Sequence, residues 1–443
     1  MLWVIKLKRL YFIFALCILL CSCGVKAEQK DDFSQADRLF YISRLDTASE
    51  EAEALEFMNA VWVTQFDMHP IYRDGSKQRA EGEYRRLTAT MLDNLKRDGF
   101  ETVFLQVRPN GDSVFESEVY PSSKYIAGVY GGKIEYDAVL IYLELAKERG
   151  ISVHAWINPY RLCYESELIL LGKGILYEWY CEGIGKRIEK GSDGLLYLDP
   201  SYEEATELIT KGAKEIFEKY DFDGLHIDDY FYPTEFEFDD EHEFFTSGYD
   251  DKGEFRRANA DRTVKALYQT AHEHGKVFGV SPAGNIYSLE NGWYIDIYKW
   301  LSTEGYVDYI MPQLYFGFKN AVCPFERVLD DWASAVKCDK IKLYVGLSAA
   351  KCALGAEGVA DAFAGSEGKF EWRDDEKILA RSYIAVREKG ACGVCIFSYS
   401  SFYDSLTGIE SELTDSERRA LLEEMKKQVG ESALFLSEKI KFF

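Results

Sequence analysis

Basic residues are scarce in this chain: 52 Lys and Arg stand against 75 Asp and Glu, a formal charge of −23 over 443 residues. Such a chain repels phosphate backbones at long range, which argues against a nucleic-acid partner. No β-rich run is followed by a glycine-rich phosphate loop, and nothing in the sequence supports a nucleotide, metal or flavin cofactor. The apolar run at residues 10–20 is too short to span a bilayer comfortably. Ten cysteines occur, but Cys17, Cys21 and Cys23 belong to the N-terminal segment and seven remain, an odd number that cannot all pair internally. That excludes a disulfide framework. Cys392 and Cys395 form a lone CxxC without a second pair or clustered histidines, and read as core packing rather than a zinc or redox site.

What is present is the material of a globular protein, with 47% hydrophobic and 29% charged residues, so disorder and collagen are excluded. Aromatics are abundant (28 Phe, 30 Tyr, 8 Trp), which together with acidic charge suits a neutral, flat-faced ligand such as a sugar, and equally a heavy core. Lys6, Lys8 and Arg9 before the 10–20 run have the layout of a signal peptide. The run ends in Leu20-Cys21-Ser22-Cys23, which resembles the bacterial lipobox. The expectation is a signal segment over 1–22, lipidation of the Cys23 thiol, a polar tether over 23–56, and a membrane-anchored, extracytoplasmic location in the cell envelope.

From residue 57 onward, short β-rich runs alternate with amphipathic stretches. The runs are 60–66, 102–107, 151–157, 224–228, 277–281, 309–313, 342–347 and 393–398, eight in all. Helical patterns lie between them at 84–98, 137–149, 202–219, 259–274 and 327–336. Five glycines (Gly99, Gly150, Gly275, Gly305 and Gly390) stand just before the next run, where a helix terminates in the left-handed conformation. The pattern predicts an α/β fold, a closed (β/α)8 TIM barrel over 57–430 with insertions after strands 3 and 4, followed by a tail over 431–443.

Strand alternation selects the inward side chains. Gln106 and Arg108 face inward on strand 2, His154, Trp156 and Asn158 on strand 3, and His226 and Asp228 on strand 4. Strand 6 contributes Tyr309, Met311, Gln313 and Tyr315. Polar residues thus gather at the C-terminal ends of the strands, where a purely structural barrel would place Val, Ile and Leu. Asp228 is the leading candidate for acid–base chemistry, crowded by His226 and the aromatic run Tyr230-Phe231-Tyr232; desolvation of that kind raises a carboxyl pKa. Asp229 follows it as an alternative. Glycoside hydrolysis usually needs a second carboxyl. Asp67 and Asp112 are candidates, whereas Asp199, ahead of Pro200, reads as an N-cap. Substrate assistance by an N-acetyl group is the remaining route. Trp156, Tyr160, Tyr230, Tyr232 and Tyr315 suit stacking on pyranose faces.

The motifs Phe104-Leu105-Gln106-Val107-Arg108-Pro109-Asn110-Gly111-Asp112, His154-Ala155-Trp156-Ile157-Asn158-Pro159-Tyr160-Arg161 and Asp223-Gly224-Leu225-His226-Ile227-Asp228-Asp229-Tyr230 resemble the bacterial glycosyl-hydrolase-10-like family. Leu198-Asp199-Pro200, Val280-Ser281-Pro282-Ala283-Gly284 and Pro312-Gln313-Leu314-Tyr315 extend the resemblance over residues 57–400. It implies a (β/α)8 barrel, a secreted or lipid-anchored location and action on carbohydrate, with cell-wall glycan as substrate class. The implied site comprises Gln106, Arg108, Asn158, Asp228, Asp229, Tyr230, Gln313 and Tyr315, to which the inward-facing and mouth residues His154, Trp156, Tyr160, Arg161 and His226 are added. Strand 4 also resembles chitinase-type barrels, whose acid is a glutamate two residues past the last aspartate; that position here is Tyr230. The expectation is a glycosidase acting on a polysaccharide and held at the membrane by its lipid, the alternative a non-catalytic carbohydrate-binding lipoprotein.

Overall fold

All eight β-rich runs become strands and pair in parallel: β1 (Met58–Val63), β2 (Thr102–Arg108), β3 (Ser152–Ile157), β4 (Gly224–Asp228), β5 (Val277–Ser281), β6 (Tyr309–Ile310), β7 (Lys342–Ser348) and β8 (Gly393–Phe397). They close in sequence order, with β1 pairing to both β2 and β8. The computed structural model describes residues 57–228, 232 and 239–441, with side chains to 428. The signal segment, Cys23 and the tether lie outside the described residues, as do Asp229 and Tyr230. The expected helices are present at Glu81–Arg97, Ala138–Glu148, Glu203–Lys219, Lys252–Glu273 and Phe325–Ala335. All five predicted glycine stops have positive φ, from 62° at Gly150 to 98° at Gly305. The last helix, Asp415–Lys441, runs through residue 430, where the sequence suggested that a tail begins.

Alternation sorts the barrel strands into two cores. Outward residues such as Val61, Val103, Leu105, Ala155, Leu225, Val280 and Val345 join the layer beneath the helices. Inward residues Ala60, Trp62, Phe104, Trp156, Tyr309, Met311 and Cys395 fill the barrel. Large rings fit there because glycines stand beside them. A Cβ on Gly279 would meet the Tyr309 ring at 2.0 Å, and one on Gly346 would meet Trp62 at 2.8 Å.

The longest intervals follow β3 and β4. After β3 comes a three-stranded antiparallel sheet of Arg161–Tyr164, Leu195–Leu198 and Ile188–Lys190 with two short helices. After β4 come the helix Glu241–Ser247 and the long helix Lys252–Glu273. β1 is shorter than its β-rich run because Thr64 stops it: Thr64 Oγ1 accepts the N–H groups of Phe66 and Asp67, and Asp67 Oδ2 accepts the Thr64 N–H at 2.7 Å. This reciprocal cap starts the helix Gln65–Tyr72 directly over the barrel mouth.

Candidate active site

A cleft of about 260 Å³ opens at the C-terminal ends of the strands, lined by Trp62, Thr64, Gln65, Phe66, Gln106, Trp156, Arg161, Asp228, Gln313, Tyr315 and Phe397. Six of these (Gln106, Trp156, Arg161, Asp228, Gln313 and Tyr315) are sequence candidates, and Asn158 is buried beside them, bonded to both Gln106 and Asp228. Trp62, Thr64 and Phe397 were missed although the same alternation, applied to β1 and β8, selects them. Gln65 and Phe66 carried no such signal, since their place depends on where the Thr64 cap ends the strand.

A directional chain of amides leads to Asp228. The Gln65 N–H, which can only donate, bonds Gln106 Oε1 at 2.8 Å. That fixes the Gln106 amide so that its Nε2 donates to Asn158 Oδ1 at 2.6 Å. Asn158 must then present Nδ2, which donates to Asp228 Oδ1 at 2.5 Å. A backbone group therefore sets both side-chain amides, and the orientation of each is determined without ambiguity. Among the described residues lining the cleft, Asp228 is the one carboxylate. Two polar atoms of the lining, Trp156 Nε1 and Gln65 Oε1, are buried without a protein partner among the described residues.

Five further candidates do not line the cleft, and one of them, Tyr232, is buried with its hydroxyl accepting from Asn259 Nδ2 at 2.9 Å. Arg108 was expected inward, but β2 is bulged between Gln106 and Arg108, so that Arg108 pairs with the outward Ile157. Its Nη2 donates to the carbonyls of Asn158 and Pro159, and its guanidinium lies 4.6 Å over the Tyr120 ring. Tyr160 is fully buried in the outer layer, and its carbonyl accepts the Leu198 N–H at 2.8 Å, rooting the insertion sheet. His154 and His226 lie deeper in the barrel. Trp62 Nε1 donates to His226 Nε2 at 3.2 Å, which leaves His226 Nδ1–H to donate to Tyr309 Oη (3.1 Å) and the Tyr309 hydroxyl to donate to His154 Nδ1 (3.2 Å). Burial holds His226 well below the usual histidine range and His154 at about 4, so both are neutral packing groups.

The other carboxyl candidates are structural too. Asp67 is fully buried, and besides its cap it accepts the Ser400 N–H at 2.9 Å. Asp112 is buried and accepts the Asn110 N–H at 2.8 Å. Burial raises both carboxyls, against hydrogen bonds that lower them. Asp199 does not cap the helix Glu203–Lys219, whose N-cap is Tyr202; it closes a tight turn by accepting the Ser201 N–H at 2.7 Å. Burial brings it to about 7, as it does Glu189 on the adjoining strand. No group of three or more His, Cys, Asp or Glu among the described residues could hold a metal ion.

The family model described as Glycosyl hydrolase-like 10 matches residues 57–360. Glycosyl hydrolase YngK of Bacillus subtilis (strain 168) is 30% identical over 321 residues, 66% of this chain and 61% of that protein, so the chain spans less than two thirds of this relative's length. Glycosyl hydrolase DigH of Escherichia coli (strain K12) is 26% identical over 379 residues, 78% of this chain and 83% of its own. Among solved structures, the PgaB (BpsB) glycoside hydrolase domain from Bordetella bronchiseptica aligns with a TM-score of 0.50 and 14% identity, over 82% of this chain and 99% of that one. An endo-1,4-beta-mannanase from Rhizomucor miehei aligns with a TM-score of 0.51 and 9% identity, over 84% and 95%. At such identities the two solved structures share the barrel fold.

Proposed function

The chain belongs to the glycosyl hydrolase-like 10 family, and from that premise we propose that it is a glycosidase of an extracytoplasmic polysaccharide, a cell-wall glycan rich in N-acetylated sugars, with the strand-four carboxyl Asp228 as acid and base. The observation that carries this reading is the amide chain from the Gln65 backbone through Gln106 and Asn158 to Asp228, which fixes that carboxyl in a cleft walled by aromatic rings. Trp156, Tyr315, Trp62 and Phe397 supply flat apolar faces, and Arg161 and Gln313 supply donors for sugar hydroxyls.

With one carboxylate among the described lining residues, substrate assistance is the route that fits best. Asp228 gives its proton to the glycosidic oxygen as the bond from that oxygen to the anomeric carbon breaks. The acetamido oxygen of the same sugar bonds to that carbon and takes up its developing positive charge. Water then attacks the anomeric carbon, loses a proton to the Asp228 carboxylate and displaces the acetamido oxygen, restoring both groups. Asp229, adjacent in sequence, is the alternative proton donor. The lipobox-like segment supports attachment through Cys23, which puts the barrel on the side of the membrane where such glycans occur.

The lone lining carboxylate equally favours a second reading, a carbohydrate-binding lipoprotein without turnover. Incubating the full chain with purified cell-wall glycan, with and without its peptide stems, and weighing the products by mass spectrometry decides between them. Shortened glycan with new reducing ends supports the glycosidase, retained intact glycan supports the binder, and neither cleavage nor retention contradicts both.

A further inference from the structure

The cleft, at about 260 Å³, lies at or below the small end of ligand pockets, which begin near about 300 Å³. A polysaccharide bound there must continue across the rim. On the β1 side that rim ends in Phe66, whose side chain lines the cleft and is nonetheless 66% exposed. The ring is therefore open apolar surface at the point where a longer ligand leaves the cleft.

Phe66 is firmly placed. Its N–H donates to Thr64 Oγ1 at 3.1 Å, and the preceding N–H of Gln65 donates into the amide chain that reaches Asp228. Its ring packs edge-to-face with Tyr125, 5.7 Å between centroids at 85°. Tyr125 is also held by His69, one helical turn beyond Phe66, which packs edge-to-face with it at 5.7 Å and donates through Nδ1 to the Tyr125 carbonyl at 3.1 Å. Lys124, ion-paired to Glu167 at 2.8 Å, lies 5.8 Å over the Tyr125 ring. Phe66 thus extends the cleft wall as an aromatic shelf braced by the perpendicular Tyr125 ring, which stands on a separate segment of the chain.

We propose that the Phe66–Tyr125 shelf is a distal sugar subsite, which stacks on the apolar face of a pyranose one or more units away from the sugar held at Asp228. The proposal rests on the polysaccharide reading above and adds chain-length selection to it: the shelf rewards an extended glycan more than a short one.

The test measures binding to the full chain carrying Asp228→Asn, so that ligand stays intact, with the β-1,4-linked disaccharide and hexasaccharide of N-acetylglucosamine as probes in calorimetry. The hexasaccharide should bind more tightly than the disaccharide. Adding Phe66→Ala should weaken hexasaccharide binding about tenfold and weaken the disaccharide distinctly less, while Phe66→Trp should keep the long-chain advantage. Equal affinity for the two probes, or a Phe66→Ala effect that is absent or the same for both, overturns the shelf and leaves the polysaccharide reading standing. Failure of the Asp228→Asn protein to bind either probe overturns the N-acetylated-glycan reading and the shelf with it.

Discussion

Asn158 has no charge and no exposed surface, yet it sets the geometry of Asp228. Replacing it by alanine removes the N–H at Asp228 Oδ1 and strands the Gln106 amide. Asn158→Ala is therefore expected to lower kcat at least about tenfold while KM stays near the wild-type value, because Asn158 orients the proposed acid Asp228 and does not itself line the cleft. An equal rise in KM with kcat intact, measured by steady-state kinetics on the glycan, would show that Asn158 serves binding alone. Sequence parity correctly brought Gln106, Asn158 and Asp228 together, since a period of two decides which side chains meet inside a barrel. It failed at Arg108, because one extra residue in a bulge turns every later side chain of the strand to the other face. It misjudged His154 and His226 for another reason. Alternation gives the side of a strand and not the depth along the axis, and these rings stop below the mouth, bonded to Tyr309.

At the scale of elements, the cap that ends β1 matters more to the site than the strand itself. Thr64 and Asp67 turn the chain so that Gln65 and Phe66 stand over the cleft, and that cap is written in the sequence as Thr-x-x-Asp. The insertion after β3 carries a different device. Asp199 is wholly buried, with Oδ1 on the Ser201 N–H and Oδ2 without a protein partner among the described residues, and Glu189 and Asp240 add like charge to its burial. Its carboxyl is raised from the ordinary aspartate range to about 7, so between those values the folded state holds a proton that the unfolded chain has released. The stability this confers is complete at low pH and is lost as pH rises through about 7. Asp199→Asn keeps the acceptor for Ser201 and cannot ionise. Urea unfolding should show the variant gaining on the wild type by on the order of 3 kcal/mol between pH 4 and pH 8. Parallel stability curves for the two proteins would mean that Asp199 ionises as freely folded as unfolded. The sequence pointed to a helix cap here, because Asp-Pro before a helix is the ordinary signature of one; three residues of turn intervene before the helix begins at Glu203.

For the whole molecule, eight strand–helix units were legible from periodicity and glycine stops alone, and the family motifs fell on the strand ends where barrel chemistry occurs. The identity of a second reacting group was not, since it depends on how distant strands converge, whereas the wall formed by β1 and β8 is open to the same alternation that selects Gln106 and Asp228. The proposed location rests on a separate signal, in residues 1–23. If Cys23 carries lipid, Cys23→Ala should move the protein from the membrane fraction to the soluble fraction after a salt wash, and continued membrane retention would contradict the anchor. Asp228, which the barrel delivers to the cleft, is the carboxyl proposed to react there. The direct measurement compares turnover and affinity of the wild type and Asp228→Asn on the same cell-wall glycan. Asparagine keeps the shape and cannot carry the acidic proton, so turnover should fall at least about a hundredfold with affinity little changed; turnover within a few-fold of the wild type would contradict the account.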